Sequence, residues 1–87
     1  MEIEFDPSKD AANVAKHGIS LNRAAEMTVL AAVDDRDRFE EPRYRLYGMI
    51  DREPHCLAAV DRGGVVRVIS LRRAHEKELR RYVSKGD

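Results

Sequence analysis

Several signatures that would assign a function directly are missing from this sequence. It has no Walker-type phosphate loop, no GxGxxG turn and no nucleophile-elbow motif. Its single cysteine, Cys56, cannot form an intrachain disulfide, and one cysteine with three scattered histidines lacks the ligand spacing of a structural zinc site. The sequence also lacks an apolar run near the ~18 residues of a membrane helix and a basic-then-apolar leader. We therefore expect a cytoplasmic protein, away from membranes, with no metal or cofactor.

Charge is abundant but unevenly distributed. The 87 residues predict one domain, 1–87, and 37% of them are charged, against about 25% in typical proteins. Residues 1–41 contain ten acidic and five basic side chains, whereas residues 42–87 contain six and eleven. The basic half can attract phosphate. Alternatively, the uneven distribution of charge is chance variation in a highly charged chain.

The N-terminal third predicts a short strand followed by two helices. EIEF, residues 2–5, alternates acidic and apolar side chains, as a strand does. Asp6 is a good N-cap with proline after it, and Gly18 can end the first helix in the left-handed conformation. Ser20 caps the second helix, SLNRAAEM. In the first helix, we place the apolar side chains Ala11, Val14 and Ala15 on one side.

The remainder predicts strands and a closing helix. The strand segments are TVLAAVDD (28–35), RYRLYGMID (43–51), HCLAAVD (55–61) and VVRVISL (65–71). A polar connection, DRDRFEEP (35–42), links the first two, and a glycine hairpin at 62–64 links the last two. AHEKELRRYV (74–83) predicts a terminal helix that packs through His75, Leu79 and Tyr82 or Val83. The predicted fold is α+β: a small antiparallel β-sheet, two N-terminal helices and a C-terminal helix.

The basic stretch RVISLRRAHEKELRRY, residues 67–82, is the best candidate for chemistry. Arg67 interrupts an apolar strand, where an arginine needs a partner or a cleft. Arg72 and Arg73 lie near the predicted helix start at Ala74, whose backbone N–H groups could add donors to the same anion. Guanidinium groups bind phosphate bidentately and can stabilise charge that develops in a transition state.

RNA cleavage through the 2′-OH needs a base, a phosphate stabiliser and an acid. The candidates for proton transfer are Lys16, His17, His75 and Tyr82. Each has a structural alternative. Lys16 and His17 can complement a helix macrodipole, and His75 and Tyr82 can pack in the core. The arginines at 72, 73, 80 and 81 can lie on an exposed helix with i,i+4 and i,i+3 ion pairs.

Two separated motifs resemble those of BrnT-type toxins, the ribonuclease half of a type II toxin–antitoxin pair. The first is Phe5-Asp6-Pro7-Ser8-Lys9, Asn13 and Lys16-His17-Gly18-Ile19-Ser20. The second is Arg67-Val68-Ile69-Ser70-Leu71-Arg72-Arg73-Ala74, followed by Glu78 and Tyr82, and between the two lie Glu41, Arg43 and Gly48. The chain departs from the family pattern at Leu71, where a small residue is usual, and at SLNRA, where S-F-E-E-A is usual.

The resemblance implies a RelE-like fold and metal-independent RNA cleavage that inhibits translation and growth. It also implies a hetero-oligomer with a neutralising ribbon-helix-helix antitoxin, through which alone operator DNA is bound. The catalytic residues implied are Arg67, Arg72 and Tyr82, with Lys16 and His17 nearby; Arg43, Arg73 and Arg81 are assigned to nucleic-acid binding. Two alternatives stay open: a non-catalytic module that acts in antitoxin complex formation and operon autoregulation, and an RNA binder that uses the basic stripe alone.

Overall fold

A computed structural model describes residues 1–35 and 43–83. Its elements are β1 (Ile3–Glu4), α1 (Pro7–His17), a 3₁₀ helix (Leu21–Glu26), β2 (Thr28–Asp34), β3 (Arg43–Ile50), β4 (Glu53–Arg62), β5 (Val65–Arg73) and α2 (Glu76–Val83). Most of the predicted polar connection, including Glu41, lies outside the described residues. No helix in the described ranges is long and apolar enough to span a membrane.

The five strands form one mixed sheet in the order β1-β5-β4-β3-β2. Strands β2 to β5 are an antiparallel meander, as predicted. The prediction of a wholly antiparallel sheet is wrong, because β1 runs parallel to β5, with Ile3 opposite Val66 and Glu4 opposite Arg67. Side-chain alternation is the same in parallel and antiparallel strands, so it does not reveal direction. The direction of β1 depends on the long connection that carries the chain to the far edge of the sheet.

Helix α1 begins and ends where the sequence predicts. The Asp6 carboxylate accepts a hydrogen bond from the Ser8 N–H at 2.8 Å, and Gly18 takes φ 73° while its N–H donates to the Val14 carbonyl. The predicted apolar side is wrong, however. Val14 is 46% exposed, its alanine neighbours are exposed too, and Asn13 is the buried residue of the helix. The helix lies beside the end of β5, where the strand's backbone groups need a polar side chain as hydrogen-bond partner.

The second predicted helix is a single 3₁₀ segment of six residues. Leu21 and Ala24 are both fully buried, and their i,i+3 spacing matches three residues per turn. The segment has no acidic residue in its first turn. Asp10 of α1 supplies that acceptor, taking hydrogen bonds from the Leu21 N–H at 2.7 Å and the Ser20 hydroxyl at 2.9 Å.

Helix α2 starts at Glu76, not at Ala74 as predicted. Strand β5 continues through Arg73 because Arg72 and Arg73 still pair with β4, and the Ala74 N–H donates to a β4 carbonyl. The predicted helix donors at Ala74 are therefore absent there. His75 is exposed, which contradicts its predicted packing, whereas Leu79 and Tyr82 do pack inward.

The sheet buries apolar side chains on both faces. The face under α1 and the 3₁₀ helix, called here the α1 face, carries Leu21, Ala24, Met27, Ile50, Leu57, Ala59, Val68 and Leu71. The opposite α2 face carries Tyr47, Cys56 and Ala74 against Leu79 and Tyr82. A bulge at Ile69 lets Val68 and Leu71 share the α1 face despite their odd spacing. As a result Arg67 and Arg72 both fall on the α2 face.

Candidate nucleic-acid site

Asn13 fixes α1 against the edge of β5. Strand β1 is too short to cover β5 beyond Arg67, so the later backbone groups of β5 need another partner. The Asn13 amide supplies it: Nδ2 donates to the Leu71 carbonyl at 2.8 Å, and Oδ1 accepts from the Leu71 N–H at 3.1 Å. The same Nδ2 donates to the Ile19 carbonyl at 2.9 Å. One side chain thus sets where the C-terminal turn of α1 lies relative to β5.

An open depression, called here the α1 groove, lies along this contact. It has a volume of about 430 Å³ and is lined by Lys9, Ala12, Asn13, Lys16, His17, Ile69, Ser70 and Arg72. The four helix residues from Lys9 to Lys16 follow the i, i+3, i+4, i+7 spacing of one helix face. Its ionisable lining residues in the described part of the chain are two lysines, an arginine and a histidine, with no carboxylate. Such a lining favours an anion.

A second depression, the α2 groove, adjoins the first at Arg72. It has a volume of about 610 Å³ and is lined by Arg72, His75, Lys77, Glu78 and Arg81. Because Arg72 lines both depressions, they form one basic track that passes from α1 across the end of β5 to α2. Basic side chains from three elements line this track, which suits a polyanion.

Arg72 is held in place by Glu78. Its Nη1 and Nη2 atoms donate to the two carboxylate oxygens at 3.0 and 2.9 Å, a bidentate pair. The hydrogen bonds from Arg72 lower the pKa of Glu78 to about 2, and they raise the pKa of Arg72 in turn. Both groups are therefore charged at neutral pH. A phosphate that binds Arg72 has to share it with Glu78 or displace that carboxylate.

A second set of polar contacts joins α2 to β3. Arg45 donates to both Asp35 oxygens at 2.7 and 3.2 Å, and also to the hydroxyls of Tyr47 at 2.9 Å and Tyr82 at 3.3 Å. The two tyrosine rings stack with their centroids 4.6 Å apart, and the Tyr47 hydroxyl donates to Glu78 at 3.0 Å. Burial raises the pKa of Tyr47, while the hydrogen bond from Arg45 lowers the pKa of Tyr82. These contacts fix the orientation of Glu78 and hence of Arg72.

The structure brings together some of the predicted site residues and separates others. Lys16, His17 and Arg72 line the α1 groove, and Arg81 lines the α2 groove with Arg72. Tyr82 lines neither depression. Arg67 lies apart as well, with its Nη1 atom 3.6 Å from the Glu4 carboxylate.

The remaining two predicted residues also lie away from the α1 groove. Arg43 is on β3, opposite Val60, which in turn is opposite Arg67 on β5. Arg73 is mostly exposed on the α1 face, with its Nη1 atom 3.4 Å from the Glu53 carboxylate.

The residues that sequence reasoning missed are Lys9 and Ser70 in the groove, and Arg45 and Tyr47 behind it. Lys9 and Ser70 both lie inside the two motifs, and the helical spacing from Lys9 to Lys16 was available to indicate the first. Nothing local marks Tyr47, which is fully buried because α2 folds back over β3. Among residues 1–35 and 43–83, no group of three or more His, Cys, Asp or Glu side chains is arranged to hold a metal ion.

A family model described as "Ribonuclease toxin, BrnT, of type II toxin-antitoxin system" matches residues 5–78. This range covers most of the chain, including the first motif and the second motif as far as Glu78; Tyr82 lies beyond it. The chain belongs to the BrnT family. As members of this family are toxins of type II toxin–antitoxin systems, an antitoxin is the expected partner.

A solved member of the BrnT family shares the fold. The 1.1 Å crystal structure of the Brucella abortus ribonuclease toxin BrnT matches with a TM-score of 0.60 and 23% sequence identity, over 87% of this chain and 99% of that one. At this identity the likeness supports the α+β fold with its mixed sheet and says nothing about individual site residues. A search of curated protein sequences found no match.

Proposed function

We propose that the chain is an endoribonuclease toxin that cleaves RNA through the 2′-OH without a metal ion. The observation that carries this proposal is the α1 groove, where Lys9, Lys16 and Arg72 line a space beside His17 and none of the lining residues in the described part of the chain is a carboxylate. Cationic groups fixed around a phosphate can stabilise the charge that develops as phosphorus becomes pentacoordinate. His17 provides an imidazole in the same groove, which is the commonest side chain for proton transfer.

The reaction needs two proton transfers. His17 accepts the proton of the 2′-OH, and the resulting oxyanion attacks the adjacent phosphorus in line with the 5′ oxygen. Lys16, which precedes His17 at the end of α1, donates a proton to the leaving 5′ oxygen. The products are a 2′,3′-cyclic phosphate and a 5′-hydroxyl. Tyr82, the other acid candidate, stacks on Tyr47 and would need α2 to shift before it could reach the α1 groove.

One observation favours a second candidate function. Arg72 already has a bidentate carboxylate partner in Glu78, which is an arrangement that stabilises structure as much as it binds a ligand. A non-catalytic module that acts in antitoxin complex formation and operon autoregulation would need only such a fixed basic surface. RNA that stays intact with folded, partner-free protein would favour this candidate.

The test is cleavage of a fluorescent RNA oligonucleotide by purified, partner-free protein. Lys16→Gln, His17→Ala and Arg72→Gln are compared with Arg80→Gln, a matched control on α2 whose side chain pairs with Glu76 on the exposed surface. We expect Arg72→Gln to lower kcat/KM by about 100- to 1000-fold, the usual cost of one transition-state donor. Lys16 makes no ion pair with a described residue, so its variant separates a catalytic loss from a folding defect.

Two controls test the mechanism, one a change in the substrate and the other a chelator. A 2′-deoxy nucleotide at the cleavage step should abolish cleavage, and EDTA should leave it unchanged. Full activity in all three groove variants would reject the site assignment. Cleavage that stops with EDTA would reject the metal-independent mechanism.

We also propose that a ribbon-helix-helix antitoxin neutralises the toxin in a hetero-oligomer and carries the complex to operator DNA, and that the fold is RelE-like. The family's toxin–antitoxin character supports an antitoxin partner. Co-expression with the adjacent short reading frame should yield a complex that binds operator DNA, whereas the toxin alone should not. Operator binding by the isolated toxin would contradict this arrangement.

A further inference from the structure

A small cleft lies on the other side of His17 from the α1 groove. It has a volume of about 180 Å³ and is bounded by the end of α1 on one side and the β3–β4 hairpin on the other. Its apolar walls include Ile19 and Ile50, and its polar lining includes Glu53, His55 and Arg73. His17 lines both this cleft and the α1 groove.

A tight turn and a hydrogen bond of His55 shape the walls of the cleft. Asp51 and Arg52 both have positive φ, 52° and 66°, which makes the tight two-residue turn that places Glu53 at the start of β4. His55 is 4% exposed, and its Nδ1 lies 2.8 Å from the Glu53 carbonyl. Since a carbonyl only accepts, Nδ1 carries the proton and the ring orientation is fixed. A preformed cleft of this kind binds a flat ring at little cost in conformational entropy.

The polar groups of the cleft provide both donors and acceptors at its rim. Arg73 lies opposite His55 on the neighbouring strand, and its Nη1 atom is 3.4 Å from the Glu53 carboxylate. The two side chains are 63% and 50% exposed, so their remaining hydrogen-bonding positions are open to a ligand. A guanidinium beside a carboxylate can read the edge of a base that has acceptors next to donors.

We propose that this cleft binds a guanine base of the RNA next to the scissile phosphate. Guanine has N1–H and N2–H donors side by side, which match the two oxygens of Glu53, and O6 and N7 acceptors, which match Arg73. Adenine and cytosine each have only one amino group for the carboxylate, and uracil has a single N–H. Because His17 separates the cleft from the α1 groove, a nucleotide with its phosphate beside Lys16 needs to pass only one side chain to insert its base.

This inference rests on the proposed ribonuclease function, and the test separates the two. The substrates are oligonucleotides with one ribose in a 2′-deoxy background, in which the base on either side of the cleavable step is guanine, inosine, adenine, cytosine or uracil. We expect guanine at one of these two positions to raise kcat/KM at least about tenfold over adenine, a difference of about 1.4 kcal/mol. Inosine, which lacks the N2 amino group, should fall between them.

Two variants assign the preference to the cleft. Glu53→Gln replaces one acceptor oxygen with a donor and should lower the guanine-to-adenine ratio to near one, and Arg73→Gln should lower it as well. Glu76→Gln is the matched control, an exposed carboxylate on α2 whose loss should leave the ratio unchanged. Equal rates for all bases, or a guanine preference that survives in both cleft variants, would overturn the proposal.

Binding provides a readout that does not depend on cleavage. Fully 2′-deoxy oligonucleotides that contain guanine should bind the wild type more tightly than their adenine counterparts, and Glu53→Gln should remove the difference. If no RNA is cleaved but this binding preference is present, the ribonuclease proposal fails and the guanine cleft stands. If RNA is cleaved without base preference, the guanine cleft fails and the ribonuclease proposal stands.

Discussion

Replacing Asn13 with alanine should destabilise the fold more than any other single change on α1. The substitution removes three hydrogen bonds and leaves the N–H and carbonyl of Leu71 without a partner in a buried position. Each unsatisfied buried group costs about 1–3 kcal/mol. Water can reach the Ile19 carbonyl, which lies in a partly buried position, so the two Leu71 groups should dominate. We expect a loss of about 2–4 kcal/mol, a large part of the ~5–15 kcal/mol of a typical domain.

Urea denaturation followed by circular dichroism measures this loss. Asn22→Ala is the matched control, because Asn22 is exposed on the 3₁₀ helix and its side chain makes no hydrogen bond to a described residue. The control should change the free energy of unfolding by less than about 0.5 kcal/mol. Hydrogen exchange adds a local readout, since the Leu71 amide should lose protection in Asn13→Ala even under conditions where the protein stays folded.

The same substitution should reduce activity in the folded protein, because Asn13 positions the helix turn that carries Lys16 and His17 over the α1 groove. Asn13 acts here through the helix and not on the substrate. A loss of stability equal to that of Asn22→Ala, with unchanged exchange at Leu71, would refute the view that a side-chain amide completes the edge of β5.

Three further perturbations test other parts of the structure. Glu78→Gln should cost about 1 kcal/mol at neutral pH after allowance for solvent screening of the partly exposed Arg72. The pKa of Glu78 is depressed to about 2, so the stabilisation it contributes is complete above pH 5 and is lost as pH falls towards 2. The free energies of unfolding of the variant and the wild type should therefore converge in acid, which urea titrations at several pH values would measure. Gly48→Ala should cost about 3 kcal/mol in the same assay, because its Cβ would lie 2.1 Å from the Thr28 carbonyl oxygen on β2. Tyr47→Phe removes a fully buried hydroxyl with two partners and should cost about 1–3 kcal/mol; a smaller change would show that the contacts behind α2 contribute little.

Local signals predicted the elements well where a single residue controls the local backbone. Asp6 and Gly18 start and stop α1, and apolar segments bounded by polar connections and turns identified the strands that became β2 to β5. Prediction failed where distant segments decide the outcome. The direction of β1 and the extension of β5 through Arg73 depend on pairing with other strands, and the 3₁₀ segment begins at hydrogen bonds to Asp10 of α1.

The candidate site shows the same division. Basic composition and two motifs identified Lys16, His17 and Arg72 as candidates, and the fold places these three around one groove. Arg67 was chosen because it interrupts an apolar strand. In the structure its Nη1 atom lies 3.6 Å from the Glu4 carboxylate, which gives it the partner that such a position requires.

The sequence by itself determined the family, the set of basic residues and the main helix and strand segments, because caps, alternation and motif spacing act over a few residues. Only the tertiary structure decided which basic residues meet. A bulge at Ile69 and a buried amide at Asn13 bring α1, β5 and α2 into register, and both depend on contacts between residues up to 58 positions apart. Sequence spacing does not encode these contacts, because they form only when the sheet and its helices pack together.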